Sequence, residues 1–388
     1  MRRAAVPLLV AVSLLPGCVT PPPQPPPEPT ALSVRYESAR WSQLPGWQAD
    51  QAQEAWAAFL QSCNARNLPA ALLGACAAAR PIAVTSAEQA RTFFEANFTP
   101  YRIVRVESPR VTADTGLITG YYEPLLRGSR KASTTFSTAL YAPPDDMLTI
   151  DLGDVFPELQ GKRVRGRLQG KKVLPYYDRA ALQNQPSLKG KELVWVDNAV
   201  DAFFLEVQGS GRVQLNDGST IRLAYADQNG QPYRSIGRYL VDRGEMTLEE
   251  SSAPAIRDWL QANPARTHEV LNSNPSVVFF REERIDDPSI GPKGSLGVAL
   301  TAGRSVAVDA TFIPLGAPLF LSTTMPLTNA PLQRLVMAQD TGGAIRGPVR
   351  ADLFWGFGAT AGESAGLMKQ EGQMWLLWPT GAPLPAGQ

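Results

Sequence analysis

The sequence predicts a mainly β chain with helices on its N-terminal side and at its periphery, an α+β protein of about two domains. Three observations carry this prediction. Short apolar runs punctuated by Gly, Pro and turn residues fill residues 101–235 and 277–378. Helical apolar spacing with capping sequences is concentrated in residues 50–98 and 247–271. The 388 residues are 44% hydrophobic and 8% aromatic, enough for more than one buried core.

Taken in chain order, Met1-Arg2-Arg3 is a basic start, Ala4 to Leu15 is an apolar stretch of signal-peptide length, and Leu15-Pro16-Gly17-Cys18 matches the bacterial lipobox. Residues 1–18 are therefore expected to be a lipoprotein signal, with acylation at Cys18 and a firm bilayer anchor at about 0.8 kcal/mol per buried methylene. Val19, rather than Asp, follows the cysteine. By analogy with bacterial lipoprotein sorting, that favours the outer membrane with the folded part facing the periplasm. Residues 19–32 form a Pro-rich linker, extended at about 3 Å per residue.

Asp50 to Cys63 has helical spacing at Trp56, Phe59, Leu60 and Cys63, and Ser86-Ala-Glu-Gln89 is a capping box opening a second helix through Phe94 and Phe98. From Tyr101 the pattern turns to strand: Ile103, Val104, Val106, then Gly116 to Pro124 ending in a Gly-aromatic turn. Leu193 to Val196 and Ala202 to Val207 read as β-like runs, and Asn216-Asp-Gly218 is a hairpin turn between Val213-Gln-Leu215 and Thr220 to Leu223. Thr247-Leu-Glu-Glu250 caps a further helical stretch with Ile256, Trp259 and Leu260 at core spacing. Val277 to Phe280 returns to strand, and Ser305 to Val308, Ala317 to Leu321, Leu335 to Met337 and Trp375 to Trp378 are short strands whose regular spacing predicts a small barrel.

Charge and rare residues narrow the function. With 37 basic against 36 acidic residues there is no field to collect nucleic acid, and a neutral polymer or small ligand fits better. Beyond Cys18, Cys63 and Cys76 are the remaining cysteines. In an exported protein such a pair is a disulfide candidate worth roughly 3 kcal/mol, the alternative being two buried thiols. A single histidine, His268, argues against a zinc or haem site and leaves a Ser-His-Asp triad without its Gly-x-Ser-x-Gly elbow.

The chemistry concentrates in Met337 to Gly358, MAQDTGGAIRGPVRADLFWGFG. Asp340 precedes Gly342 and Gly343 in a turn able to bring backbone close to a ligand. Asp352 sits against Leu353-Phe354-Trp355-Gly356-Phe357, an apolar run that raises a neighbouring carboxyl pKa and so makes a general acid near neutral pH. Taken singly, Asp340 reads as a turn cap and Asp352 as a strand start or a partner of Arg350.

The segments TGYYEP (119–124), VQGSGR (207–212), YADQNGQPYRSIG (225–237), SNPSVVFFR (273–281) and QDTGGAIRGPVRADLFWGFG (339–358) together resemble the MltA family of membrane-bound lytic murein transglycosylases. The resemblance covers about residues 100–380, and its C-terminal block is similar to the three-aspartate region of that family, with Asp309 as the third carboxylate. It implies a double-ψ β-barrel built from strands near residues 100–123 and from the segment after about 282, and an inserted β-rich, substrate-binding domain over residues 124–281, with a groove between them. With the helical N-terminal part, the discontinuous domain is then 33–123 plus 282–388.

The implied activity is non-hydrolytic cleavage of the β-1,4 bond between N-acetylmuramic acid and N-acetylglucosamine in peptidoglycan, leaving a 1,6-anhydromuramoyl end, for cell-wall turnover. No cofactor and no metal are implied. One carboxyl group suffices, because the sugar's own 6-hydroxyl replaces water as nucleophile. Carry-over by motif puts that acid/base at Asp352, with Asp340 and Asp309 tuning charge or holding backbone. Thr119, Gly120, Tyr121, Gln208, Gly209 and Ser210 are the expected sugar contacts. The implied partners are peptidoglycan strands and the outer membrane through the lipid anchor. Endo or exo action, oligomeric state and partners in cell-wall synthesis or hydrolase complexes stay open. Two alternatives belong to other classes. One is a non-catalytic peptidoglycan-binding lipoprotein. The other is an aspartic-type protease, suggested by Asp340-Thr341-Gly342 but lacking a second such tripeptide.

Overall fold

Aromatic packing organises the N-terminal part of the chain. In the computed structural model, which describes residues 32–108, 111–159, 162 and 164–386, β1 (Ser33–Ser38) leads through short 3-10 turns into α1 (Trp56–Cys63), α2 (Leu73–Ala79), α3 (Ala87–Asn97) and β2 (Phe98–Ser108). The signal, Cys18 and all but the last residue of the linker lie outside the described residues. Residues from Leu32 onward form one compact unit.

Helix α1 buries Trp56, Phe59 and Cys63. Trp56 meets Phe93 edge-on at 4.8 Å, and Phe59 meets Phe94 at 5.2 Å. The spacing of these residues therefore produced the expected helices, with Phe98 opening a strand instead of ending a helix. Ser86 caps α3 by accepting from the Gln89 amide, while the Gln89 side chain returns to the Thr85 amide at 2.8 Å, one residue before the expected position. A disulfide joins Cys63 to Cys76 and so α1 to α2.

The strand-rich middle begins with β3 (Val111–Ala113) and β4 (Thr115–Glu123), then β5 (Leu125–Ser129), β6 (Thr138–Tyr141), β7 (Leu148–Ile150), β8 (Val164–Gln169), β9 (Lys172–Pro175), α4 (Arg179–Leu182) and β10 (Glu192–Val196). It continues with α5 (Ala199–Gln208), β11 (Ser210–Leu215), β12 (Thr220–Gln228), α6 (Ile236–Asp242), α7 (Ala253–Ala262), α8 (Thr267–Asn272) and β13 (Val278–Arg284). Six of these strands form a sheet in the order β13-β12-β11-β5-β10-β6, and β7-β8-β9 form a separate small sheet. The Asn216-Asp-Gly218 turn closes the β11–β12 hairpin, with Gly218 at φ 88°.

Two expectations are corrected here. Ala202 to Val207 is not a strand but the body of α5, because Asn198 caps the Val200 and Asp201 amides and Gly209 ends the helix at φ 79°. A helix that is apolar nearly all round gives the same short apolar run as a buried strand. Thr247 and Glu250 do exchange reciprocal hydrogen bonds, but they close a turn, and α7 starts later, at Ala253, with Ser252 as cap and Pro254 in its first turn.

The remaining strands are β14 (Ser305–Val308), β15 (Pro318–Thr324), β16 (Pro331–Asp340), β17 (Ala351–Phe357) and β18 (Lys369–Pro379), with α9 (Ala359–Leu367) between the last two. Together with β4 they close a six-stranded barrel: β4-β17-β14-β16-β15-β18 and back to β4. The β4–β17 and β14–β16 pairs are parallel, the rest antiparallel. Closure removes the sheet edges. Strand β2, expected in the barrel, lies outside the ring and extends it by pairing with β18.

One apolar cluster fills the barrel and the space under α1 to α3, from Phe59 and Phe94 to Leu319, Leu335 and Leu376. The buried Arg304 pins the two parts together, binding Asp50 at 2.9 Å and Glu54 at 2.9 Å, while Asp50 also accepts from the Leu335 amide. A second cluster lies between the six-stranded sheet and α5, from Val194 and Leu205 to Leu223 and Phe280.

Candidate active site

Barrel closure brings Asp352 and Thr119 side by side, since β17 and β4 are parallel neighbours with these residues in register. The Thr119 hydroxyl donates to Asp352 Oδ1 at 2.6 Å. Asp352 is partly open on one side, where it lines a groove of about 540 Å³. Burial among apolar neighbours pushes its pKa up to about 6, with Asp340 adding to the rise and Thr119 and the Arg350 guanidinium opposing it.

Asp340 ends β16 and also lines the groove. Its Oδ1 accepts from the Ser295 amide at 2.8 Å, the Ser295 hydroxyl at 2.9 Å and the Thr341 amide at 2.9 Å, and its Oδ2 from the Tyr121 hydroxyl at 3.0 Å. Burial raises its pKa against these donors. The contrast with Asp352 is chemical: Asp340 is held as an acceptor by four donors, Asp352 by one. Asp309 is not part of the groove. It is buried beyond the end of β14, where its carboxylate accepts from the Thr311 and Gly347 amides, so it organises the loops at 310–313 and 347.

The expected sugar contacts separate in the same way. Tyr121, Gln208, Gly209 and Ser210 line the groove, Tyr121 from the barrel and the others from the end of α5 and the start of β11. Thr119 and Gly120 are not among its lining residues: the Thr119 hydroxyl is taken by Asp352, and a Cβ on Gly120 would meet Trp355 Nε1 at 2.5 Å, so that glycine serves the approach of Trp355. Tyr121 is only 9% exposed, tilts against Phe354 at 5.3 Å and spends its hydroxyl on Asp340; it positions a carboxylate more than it offers a ring face. The Gly209 amide is used to cap α5 on Leu205 and Glu206 carbonyls, and Gln208 Oε1 accepts from the Tyr122 amide.

Sequence reasoning missed several groove residues. Ser295, which holds Asp340, lies in a stretch without periodicity. Arg179 and Glu206 pair at 2.9 Å in the groove wall, with Arg179 also bonded to the Asn274 carbonyl. Behind the groove, Glu123 at the end of β4 is fully buried between Arg212 and Arg222, and the signal for it was two arginines placed within apolar strands.

The Thr119–Asp352 hydrogen bond sets a testable pH dependence. Thr119 stabilises the ionised carboxylate, so Thr119→Val raises the Asp352 pKa further. A reaction needing protonated Asp352 loses rate as pH climbs through that pKa; its falling limb therefore moves upward, by about one pH unit for a charge-assisted bond of ~1.5 kcal/mol. Thr119→Ser keeps the donor and leaves the limb in place. A pH profile of kcat/KM for the two variants checks this.

Comparisons with known proteins agree with this architecture. Residues 117–281 match the family profile described as the MltA specific insert domain, and residues 304–378 match the 3D domain. The chain is 33% identical over 281 residues to membrane-bound lytic murein transglycosylase A of Vibrio cholerae serotype O1, covering 70% of this chain and 67% of that protein. The crystal structure of MltA from Neisseria gonorrhoeae, in its monoclinic form, superposes with a TM-score of 0.76 at 35% identity, over 90% of this chain and 94% of that one. The E. coli MltA structure with bound chitohexaose gives 0.66 at 26% identity, over 90% and 95%. With a relative this similar along two thirds of its length and structures similar along nearly all of theirs, the chain belongs to the MltA family of membrane-bound lytic murein transglycosylases.

Proposed function

We propose that this chain is a peptidoglycan lytic transglycosylase whose single acid/base is Asp352. The observation that carries the assignment is the unequal treatment of two groove carboxylates: Asp340 has four donors fixed on it, whereas Asp352 has one and a pKa near 6. A group at that pKa is protonated often enough to give a proton and ionised often enough to take one back.

In the first step Asp352 donates its proton to the glycosidic oxygen as the bond from C1 of N-acetylmuramic acid to that oxygen breaks. In the second the resulting carboxylate takes the proton of the C6 hydroxyl as that oxygen bonds to C1. The products are an N-acetylglucosamine end with a free 4-hydroxyl and a 1,6-anhydromuramoyl end. Asp352 finishes protonated, and no water is consumed. Burial sets the raised pKa of Asp352, and Asp340, fixed by Ser295, Thr341 and Tyr121, adds to it. Asp309 holds backbone.

The chitohexaose seen with the E. coli relative supports a groove that takes a β-1,4-linked chain of N-acetylhexosamines. We read residues 124–281 as the domain that completes the groove opposite the barrel, within a discontinuous 33–123 plus 282–388 domain. We further propose attachment to the outer membrane through acylated Cys18, in keeping with the lipobox and with the name of the relatives as membrane-bound; among the described residues no helix is long and apolar enough to cross a bilayer. An aspartic-type protease dyad is disfavoured, because the Oδ2 facing Tyr121 is already engaged.

Incubating the chain from Val19 onward with purified sacculi and weighing the released muropeptides tests the reading. Products lighter by one water than hydrolytic muropeptides are expected; hydrolytic masses, or binding without release, overturn it.

A further inference from the structure

Gln339 is a fully buried polar residue at the point where β16 reaches the groove. It interrupts the pairing of β14 with β16. Val306 of β14 pairs with Ala338, but the next residue, Ala307, pairs with Asp340, so Gln339 is the extra residue of a β-bulge. On its other side Ala307 pairs with Asp352 of β17. The two carboxylates therefore flank Ala307 in register, and all three residues line the groove. Without the extra residue, position 339 would stand opposite Ala307, and Asp340 would fall one place further on with its side chain on the other face.

The Gln339 side chain fixes this bulge from behind. Its Nε2 donates to the Ala58 carbonyl at 2.7 Å and to the Ser62 hydroxyl at 2.9 Å, both on α1, and its Oε1 accepts from the Ser305 hydroxyl of β14 at 2.5 Å. The Ser305 oxygen accepts in turn from the Thr301 amide at 2.8 Å. Ser62 and Ser305 are also fully buried, and Ser62 precedes Cys63, whose disulfide ties α1 to α2. A carboxamide taken out of water is costly unless its hydrogens and its oxygen are met, and here they are met by two separate elements.

The backbone of the same residue serves the same carboxylate. The Gln339 carbonyl accepts from the Leu296 amide at 3.0 Å. A Cβ on Gly294 would meet that carbonyl oxygen at 2.5 Å, so the 294–296 segment lies directly against it. This contact delivers Ser295, whose amide and hydroxyl both bind Asp340.

We propose that Gln339 is a positioning residue: its place in the bulge and its buried amide set Asp340 level with Asp352 across Ala307. The inference rests on the reading of Asp352 as the acid/base and deepens it, since it names what places the second carboxylate. Burial dominates the Asp352 pKa; beyond burial, Thr119 and Arg350 lower it and Asp340 raises it. Tyr121 of β4 faces both aspartates and is pushed well above the ordinary tyrosine value, by burial first, so it stays neutral.

Gln339→Met keeps the length of the chain and removes the three side-chain hydrogen bonds. With Asp340 displaced from Asp352, kcat/KM for sacculi is expected to fall about tenfold. The falling limb of its pH profile should move down by roughly 0.5 pH unit, because the charge that raises the Asp352 pKa is further away. In an Asp340→Asn background Gln339→Met should change neither quantity further, as expected of a residue that acts through Asp340. Ser62→Ala with Ser305→Ala and Gln339→Met leaves neither hydroxyl buried without its partner, which protects the fold, and should show the same limb as Gln339→Met alone. A limb that stays with the parent in the single and triple variants, or losses that add to those of Asp340→Asn, overturn the inference and leave the acid at Asp352. A parent profile with no falling limb near pH 6 would instead sink the reading of Asp352, and the inference with it.

Discussion

Asp352→Asn releases no measurable anhydromuropeptides from sacculi, a loss of roughly a thousandfold or more, and unfolds at a higher temperature than the parent protein above about pH 6. The two effects have one origin. Burial makes the ionised carboxylate costly, which holds the pKa at about 6 against an ordinary value of 3.8. The folded protein therefore binds this proton more tightly than the unfolded chain, and stability is lost as pH rises from about 4 through about 6. An uncharged amide of the same shape avoids that loss. Allowing for the side of Asp352 that opens on the groove, the gain is about 2 kcal/mol at pH 7, and it vanishes below about pH 4. Asp340→Asn behaves differently: it perturbs the four donors around that carboxylate and removes a charge that raises the Asp352 pKa, so activity falls without the same stabilisation. Thermal unfolding at pH 4 and pH 7, beside the muropeptide assay, separates these cases. Full activity in Asp352→Asn, with Asp340→Asn inactive, would move the acid to position 340.

How far the sequence carried depended on whether a feature is local. Most barrel strands were legible as short apolar runs between Gly, Pro or polar residues, as in Ser305 to Val308 and Trp375 to Trp378, whereas β17 was read only as the apolar run beside Asp352. Asp352 was legible because its desolvating neighbours follow it directly in the chain. The disulfide partners were legible by elimination, whereas α5 was not, since Ala202 to Leu205 is buried on nearly every side and shows no polar stripe. The partners of Asp340 were hidden for another reason: Ser295 and Tyr121 reach it from 45 and 219 positions away, through the closure of the barrel. Sheet order cannot be read from strand pattern alone.

Glu123→Gln costs about 3 to 5 kcal/mol and lowers the unfolding temperature by roughly 5–10 °C, a larger loss than any of the other single replacements considered. Glu123 is 0% exposed and accepts from Arg212 Nε at 2.8 Å and from Arg222 through Nε and Nη2. Both guanidiniums also reach the Ile290 carbonyl, and Arg212 stacks over Phe357 at 3.9 Å. The cluster thus ties the end of β4 and β17, both in the barrel ring, to β11 and β12 of the six-stranded sheet. An amide in place of the carboxylate leaves two buried cations facing a group with two hydrogens to donate, and neither can return to water without opening this junction. Because β4 carries Thr119 and Tyr121 while β11 begins with Ser210 on the groove, loosening the junction also widens the groove; KM for glycan strands rises more than kcat falls. Replacing all three with apolar residues, Glu123→Leu with Arg212→Met and Arg222→Met, restores much of the stability, since no charge is then left buried. It does not restore KM, because apolar contacts fix the relative setting of the strands less sharply than paired forks do. Unfolding curves and Michaelis parameters for the single and triple variants test both halves, and a single variant that melts with the parent protein would refute the structural half.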